Sequence, residues 1–195
     1  MIIHSQAGTK CKNIYIYIQY NIFAAYECLF CILIFDHRTN YFLFLLKRYD
    51  LNVRAVFHVT QQMLPLLRAS GSVTDPARII NISSIDSITQ PSLNTFAYSS
   101  GKAAVSHLSR VLASKLADDH ITVNNILPGA FSSRMMRGTI AMVGEDLMGK
   151  SIPLQRIGST LDMAGVAVML AGRAGAWMTG ASIVLDGGAV IKSRL

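Results

Sequence analysis

Residues 78–129 read RIINISSIDSITQPSLNTFAYSSGKAAVSHLSRVLASKLADDHITVNNILPG, and this stretch decides the fold. Arg78–Ser83 is a short β-branched run of the kind that forms a strand buried on both faces. A loop containing Pro91 follows. The spacing then predicts a long helix from about Phe96 to Ala117, with Val105, Leu108, Val111, Leu112 and Leu116 on one apolar stripe. His120–Leu127 is a second strand, stopped by Pro128-Gly129. Strand, helix, strand at this spacing is the grammar of a parallel sheet.

The pattern extends in both directions. Upstream, Asn52–Arg68 places Val53, Val56, Phe57, Met63, Leu64 and Leu67 near helical spacing, with Pro65 bending or ending the run. Residues 69–76 form a Ser/Gly/Asp/Pro loop. Downstream, a helix is expected over Leu161–Leu170, and Ser182–Asp186 is a final strand before Gly187-Gly188. The class is therefore α/β with a parallel sheet.

The chain has 195 residues, room for one domain with a real core. Charged residues are only 15% and hydrophobic ones 51%, which excludes a disordered chain. The net charge of +7 is spread without a basic run, which argues against a nucleic-acid partner. Composition shifts near Asp50. All three cysteines (Cys11, Cys28, Cys31) and six of the seven tyrosines lie before it, whereas Gly8 is the sole glycine before Gly71. An odd cysteine count confined to one segment argues against a disulfide framework. Cys28-x-x-Cys31 lacks a second ligand pair and sits in an apolar run, so no metal site is read there. Three origins for residues 1–50 stay open. A membrane anchor is interrupted by Asn21, Glu27, Asp36, His37 and Arg38. A secretory signal lacks a small-residue cleavage site. Translated non-coding sequence would share this Ile/Tyr/Phe/Asn/Lys bias.

The chemistry centres on Tyr98. Tyr98-Ser-Ser-Gly-Lys102 puts a phenol and an ammonium four apart, hence on one helical face. A nearby cation favours phenolate, so Tyr98 is suited to general acid–base work. Alone, the pair reads equally well as an exposed helix pair. Ser83-Ser84, however, ends a predicted parallel strand, where α/β folds place ligands, although a serine there also suits a local backbone bond. Pro128-Gly129 ends the next strand at the same sheet edge, and Asp186-Gly-Gly188 closes the last.

Taken together, Asn52, Asn81-Ile-Ser-Ser84, Tyr98-x-x-x-Lys102, Val123-Asn-x-Ile-x-Pro-Gly129, Ile152-Pro-Leu and Thr179-Gly180…Asp186-Gly-Gly188 occur in a telling order. The region 49–195 resembles the short-chain dehydrogenase/reductase family, nearest to its rhamnolipid-type 3-oxoacyl-[acyl-carrier-protein] reductases. The resemblance implies an incomplete doubly wound parallel sheet, the C-terminal part of a Rossmann-type domain, preceded by a non-matching segment 1–48. It implies that Tyr98 protonates the carbonyl oxygen and that Lys102 lowers the Tyr98 pKa and holds the nicotinamide ribose. Ser84 would hydrogen-bond the substrate carbonyl and Asn52 would hold a relay water. Pro128, Gly129, Phe131 and Ser133 would contact the nicotinamide side, with Ser133 standing where the family usually has Thr. The implied cofactor is NADP, with NAD not excluded. The implied substrate is a small-molecule or acyl-carrier-bound carbonyl, in a cytoplasmic homo-oligomer.

The family's Gly-rich turn, which cradles the pyrophosphate at a helix N-terminus, has no counterpart here. The remaining sheet is then expected to expose an apolar edge. Arg134, Met135, Met136, Arg137, Met142, Leu147 and Met148 fall where the family covers its substrate; they read as an acyl-adaptable cover or as a surface helix pair with a buried stripe. Three functions stay open: an NADPH-dependent 3-oxoacyl-type reductase, a cofactor-less inactive fragment acting as an oligomerisation or interaction module, and a membrane-tethered remnant.

Overall fold

A computed structural model describes residues 2–3, 15–18, 41–90 and 95–192. Five strands form one sheet in the order β1 (Ile2–Ile3), β2 (Tyr15–Ile18), β3 (Ala77–Ile82), β4 (Ile121–Pro128), β5 (Ser182–Leu185). β1 and β2 are antiparallel, and every pairing from β2 to β5 is parallel. Ala77 stands opposite Ile121, and Asn125 opposite Ser182. The β3 edge expected to lie open is instead paired with β2, Tyr15 opposite Arg78 and Ile18 opposite Asn81. The physical reason is that β3 presents unpaired backbone groups, which any extended apolar tetrapeptide can satisfy.

The helices are α1 (Tyr41–Tyr49), α2 (Ala55–Ser70), α3 (Phe96–Leu116), α4 (Arg137–Val143), α5 (Glu145–Lys150) and α6 (Thr160–Ala171). A single π-turn over Asp50–Arg54 joins α1 to α2 without leaving helical backbone angles, so the run is continuous from 41 to 70. It crosses the compositional boundary near Asp50 without a break. Pro65 does not end it. Gln61, whose carbonyl has no Pro65 N–H to accept from, is a solvent-exposed residue.

Strand alternation divides the core between two helical layers. Ile79 and Val123 face α2 and α3, joining Val56, Leu67, Val105, Leu112 and Leu116. Ile80 and Ile126 face α6, joining Leu170, Met163 and Val166. Helices on both faces of a parallel sheet make the arrangement doubly wound. Two expected core residues are surface residues: Phe57 is 48% and Val111 42% exposed. The α3 face that turns inward carries Gly101, Ser106, Ser109 and Ala113 instead. Asn81 and Asn125, opposite one another and fully buried, demand polar partners there. Asn81 Nδ2 donates to Ser109 Oγ (2.7 Å), and Asn125 Nδ2 reaches the Ser106 carbonyl (3.5 Å).

At the opposite end of the sheet, Arg78 is 1% exposed. It donates to Asp75 (3.0 Å), to the Pro76 carbonyl and to the Gly172 carbonyl at the C-terminus of α6 (3.1 Å). A cation at a helix C-terminus is favoured by the helix dipole. α6 starts on a capping box, Ser159 with Asp162, and Arg156 grips the same carboxylate at 2.7 and 2.9 Å. Among the described residues no helix is long and apolar enough to cross a membrane.

Candidate active site

The C-terminal edge of the parallel strands carries the site. β3 ends at Ile82, and the chain turns through Ser83 and Ser84 into a 3₁₀ turn over Ile85–Ser87. Ser84 caps that turn, its Oγ accepting from the Asp86 N–H (3.2 Å), and its carbonyl accepts from Ser87 Oγ (2.6 Å). The local backbone bond considered from sequence is thus present. It uses the hydroxyl as acceptor, and an accepting hydroxyl keeps its own hydrogen to donate.

α3 begins beside this turn and brings Tyr98 and Lys102 in on successive turns. The Lys102 ammonium stands 5.7 Å from the centroid of the Tyr98 ring, a cation–π distance. Lys102 is 6% exposed and donates to the Ile82 carbonyl (2.9 Å). Burial, reinforced by the Arg48 guanidinium, lowers its pKa from 10.5 to about 8. Burial also pushes Asp86 upward. Asn52, 7% exposed within the π-turn, lies against α3 at Gly101, the residue before Lys102. A π-turn is a frequent way of re-aiming one side chain inside a helix.

The Pro128-Gly129 turn packs against the same edge. A Cβ on Gly129 would lie 2.8 Å from Asp186 Cβ and 3.5 Å from Ile85 Cδ1, so this glycine is demanded by close approach. Phe131 pairs with Gly158 in an isolated parallel bridge, its ring filling the space a Cβ there would need. With Leu154, Leu185 and Asp186 it lines a small cavity of about 80 Å³ toward β5. Ser133 Oγ accepts from the Met136 N–H (3.3 Å). The structure therefore gathers Asn52, Ser84, Tyr98 and Lys102 around the start of α3. Pro128 and Gly129 sit at the adjoining strand end, while the Phe131 ring points into the β5-side cavity.

Sequence reasoning missed Arg48, 6% exposed and electrostatically coupled to Lys102. Its signal was available: it lies four residues before Asn52, one helical turn away. It placed Ser83 at the strand end without a role of its own and missed Ser106; both are treated below.

A nicotinamide cofactor fits this edge at one end only. Lys102 has three N–H donors and Ile82 takes one, leaving donors for ribose hydroxyls. The diphosphate end is different: within residues 1–70 the sole glycine is Gly8, which lies outside the described residues, so the sequence there offers no Gly-rich motif for a diphosphate.

Comparison with known proteins agrees with the geometry. Residues 45–190 match the family model described as Enoyl-(Acyl carrier protein) reductase. The Rhamnolipids biosynthesis 3-oxoacyl-[acyl-carrier-protein] reductase of Pseudomonas aeruginosa is 49% identical over 144 residues, 73% of this chain and 56% of that protein. The 7alpha-hydroxysteroid dehydrogenase of Escherichia coli is 33% identical over 144 residues, 74% of this chain and 54% of that one. The Pseudomonas aeruginosa RhlG/NADP active-site complex superposes with a TM-score of 0.72 at 46% identity, covering 77% of this chain and 61% of that chain. The chain thus spans about half the length of the curated relatives it matches. The strand-end serine, the Tyr–Lys helix and the Pro-Gly turn, with these matches over most of the chain, place it in the short-chain dehydrogenase/reductase family of oxidoreductases.

Proposed function

We propose that this site interconverts a carbonyl and an alcohol, with a 3-oxoacyl compound as the carbonyl and NADPH as the reductant. The observation that carries the reading is the Lys102 ammonium, buried yet held beside the Tyr98 ring. A cation there stabilises phenolate relative to phenol, which makes Tyr98 a proton donor able to recycle near neutral pH. The Ser84 hydroxyl is available to hydrogen-bond the substrate carbonyl oxygen and orient it toward the phenol. Asn52 lies against the Gly101–Lys102 turn, where its amide can order water behind the lysine. When bound, the nicotinamide supplies hydride to the carbonyl carbon; the protein positions the reacting groups and provides the proton.

The acyl specificity draws on the relative named as a 3-oxoacyl-[acyl-carrier-protein] reductase. It draws also on Met142, Val143 and Leu147, which are 63%, 45% and 62% exposed on α4 and α5 rather than forming a buried stripe. Adaptable apolar side chains of this kind suit an alkyl chain. A homo-oligomer, the usual state of the family, belongs to the same reading. A second reading, a chain that binds no coenzyme and serves only as an interaction module, is favoured by the missing Gly-rich turn.

The test is a fluorescence titration of the purified chain with NADPH and with NADH, followed by turnover of a 3-oxoacyl thioester. Saturable binding with turnover that Tyr98→Phe abolishes supports the first reading. No binding overturns it in favour of the second.

A further inference from the structure

Ser83 is the neglected member of the Ser83-Ser84 pair. It is 3% exposed, and its backbone N–H donates to the Ile126 carbonyl on β4 (2.8 Å). Its hydroxyl donates to the Lys102 carbonyl on α3 (2.9 Å) and accepts from Ser106 Oγ (2.8 Å). Consecutive residues of one strand end thus hold both ends of Lys102, Ile82 taking the ammonium and Ser83 the main-chain carbonyl.

The Ser106 bond departs from local habit. A helical serine commonly bonds back to the carbonyl four residues earlier, as Ser109 does to Val105 (2.9 Å) and Ser100 to Phe96 (2.6 Å). The corresponding carbonyl for Ser106 is that of Lys102, which instead accepts from Ser83, and Ser106 donates across the helix–strand interface. A bond between elements fixes their relative position, which a bond within one helix cannot do.

We propose that Ser83, held by Ser106, is a positioning residue that fixes the height of the Lys102 turn of α3 against the end of β3, and with it the place of the ammonium over the Tyr98 ring. Its importance for turnover rests on the proton-transfer reading above; its geometric role does not. The charged groups on the surrounding elements are Lys47 and Arg48 on α1, Asp50 and Arg54 on the π-turn (paired at 3.1 Å) and Asp86 on the 3₁₀ turn. Tyr98 lies on the lysine's own helix. None of these changes in the variants below.

The experiment is competitive acetylation of the lysines across pH, read peptide by peptide by mass spectrometry, which requires neither cofactor nor turnover. In the unaltered chain Lys102 labels with a midpoint near pH 8. In Ser83→Ala the midpoint rises as the loosened ammonium regains water, and labelling at pH 8 falls about fivefold for the first unit of rise and roughly tenfold for each unit after it. Ser109→Ala, an equally buried serine on the same helix, is the control for general loosening and leaves the midpoint in place. A Ser83→Ala midpoint equal to that of the unaltered chain overturns the proposal. Should Ser83→Ala fail to fold, Ser106→Ala decides the question, a raised midpoint supporting the proposal and an unmoved one overturning it. Failure to bind NADPH together with a raised midpoint overturns the functional reading and leaves the positioning role standing.

Discussion

Replacing Lys102 by methionine tests whether the protein carries a destabilising cation at its candidate site. Burial and Arg48 lower the pKa of Lys102 from 10.5 to about 8. A gap of that size corresponds to about 3 kcal/mol of preference for the neutral amine in the folded state. Between pH 8 and 10.5 the unfolded chain binds the proton and the folded chain does not, so folded stability rises with pH across that window. Below pH 8 both states are protonated and the penalty is present in full. Methionine removes the charge but leaves the Ile82 carbonyl without its ammonium donor, a loss of about 1–3 kcal/mol. At pH 7 Lys102→Met is therefore expected to be neutral to mildly stabilising, a rare result for a 6%-exposed position. The decisive quantity is the stability difference between the two proteins, measured by urea unfolding at several pH values. A Tyr98→Phe background keeps the phenol's own ionisation out of the comparison. The difference should be flat below pH 8 and shift in favour of lysine by about 3 kcal/mol up to pH 10.5. A flat difference across the whole range would refute the reasoning.

Three further outcomes follow from the packing. Gly129→Ala places a Cβ 2.8 Å from Asp186 Cβ, so the Pro-Gly turn must move; a loss of about 1–3 kcal/mol in chemical unfolding is expected. Arg78→Met strips the donor from the Gly172 carbonyl and removes the ion pair with Asp75, and thermal unfolding should report about 3 kcal/mol lost. Asp162 is held well below the usual carboxylate range by the Arg156 side chain first and Ser159 second. A depressed folded pKa stabilises above about pH 4 and is lost as pH falls further. Asp162→Asn should therefore flatten the acid limb of the melting curve, and an unchanged limb counts against the capping arrangement.

Much of this architecture was legible because β-branched runs bounded by turn residues leave little choice. Ala77–Ile82, Ile121–Pro128 and Ser182–Leu185 fall within a residue or so of the expected strands, and α3 has its expected length. The proximity of Tyr98 and Lys102 follows from helical spacing alone. The inward face of α3 did not follow, because hydrophobic periodicity cannot register a demand that comes from another element. Asn81 required a hydroxyl opposite it, which Ser109 supplies, and Asn125 reaches the main-chain carbonyl of Ser106, so both serines are buried while Val111 faces water. Arg48 escaped for a related reason. Composition assigned it to the preceding segment, whereas the helix runs from 41 through that boundary and turns it toward α3.

The two cations bear on why such a cluster persists. Lys102 and Arg48 are both nearly buried, Arg48 raises the energy of the Lys102 ammonium, and among the described residues no carboxylate offsets it. The carboxyl on the adjacent turn, Asp86, is itself pushed toward its neutral form by burial. An apolar side chain at position 102 would fill the space without that penalty, so packing alone does not account for the lysine. An anion forming beside it does: ionising Tyr98 gives the buried ammonium a counter-charge. The energy that destabilises the resting cation is then the energy that favours phenolate, and the same term links the stability of Lys102→Met to the acidity of Tyr98. A Tyr98 absorbance titration in Lys102→Met should accordingly move to higher pH, and a phenol that titrates unchanged would separate the two residues chemically.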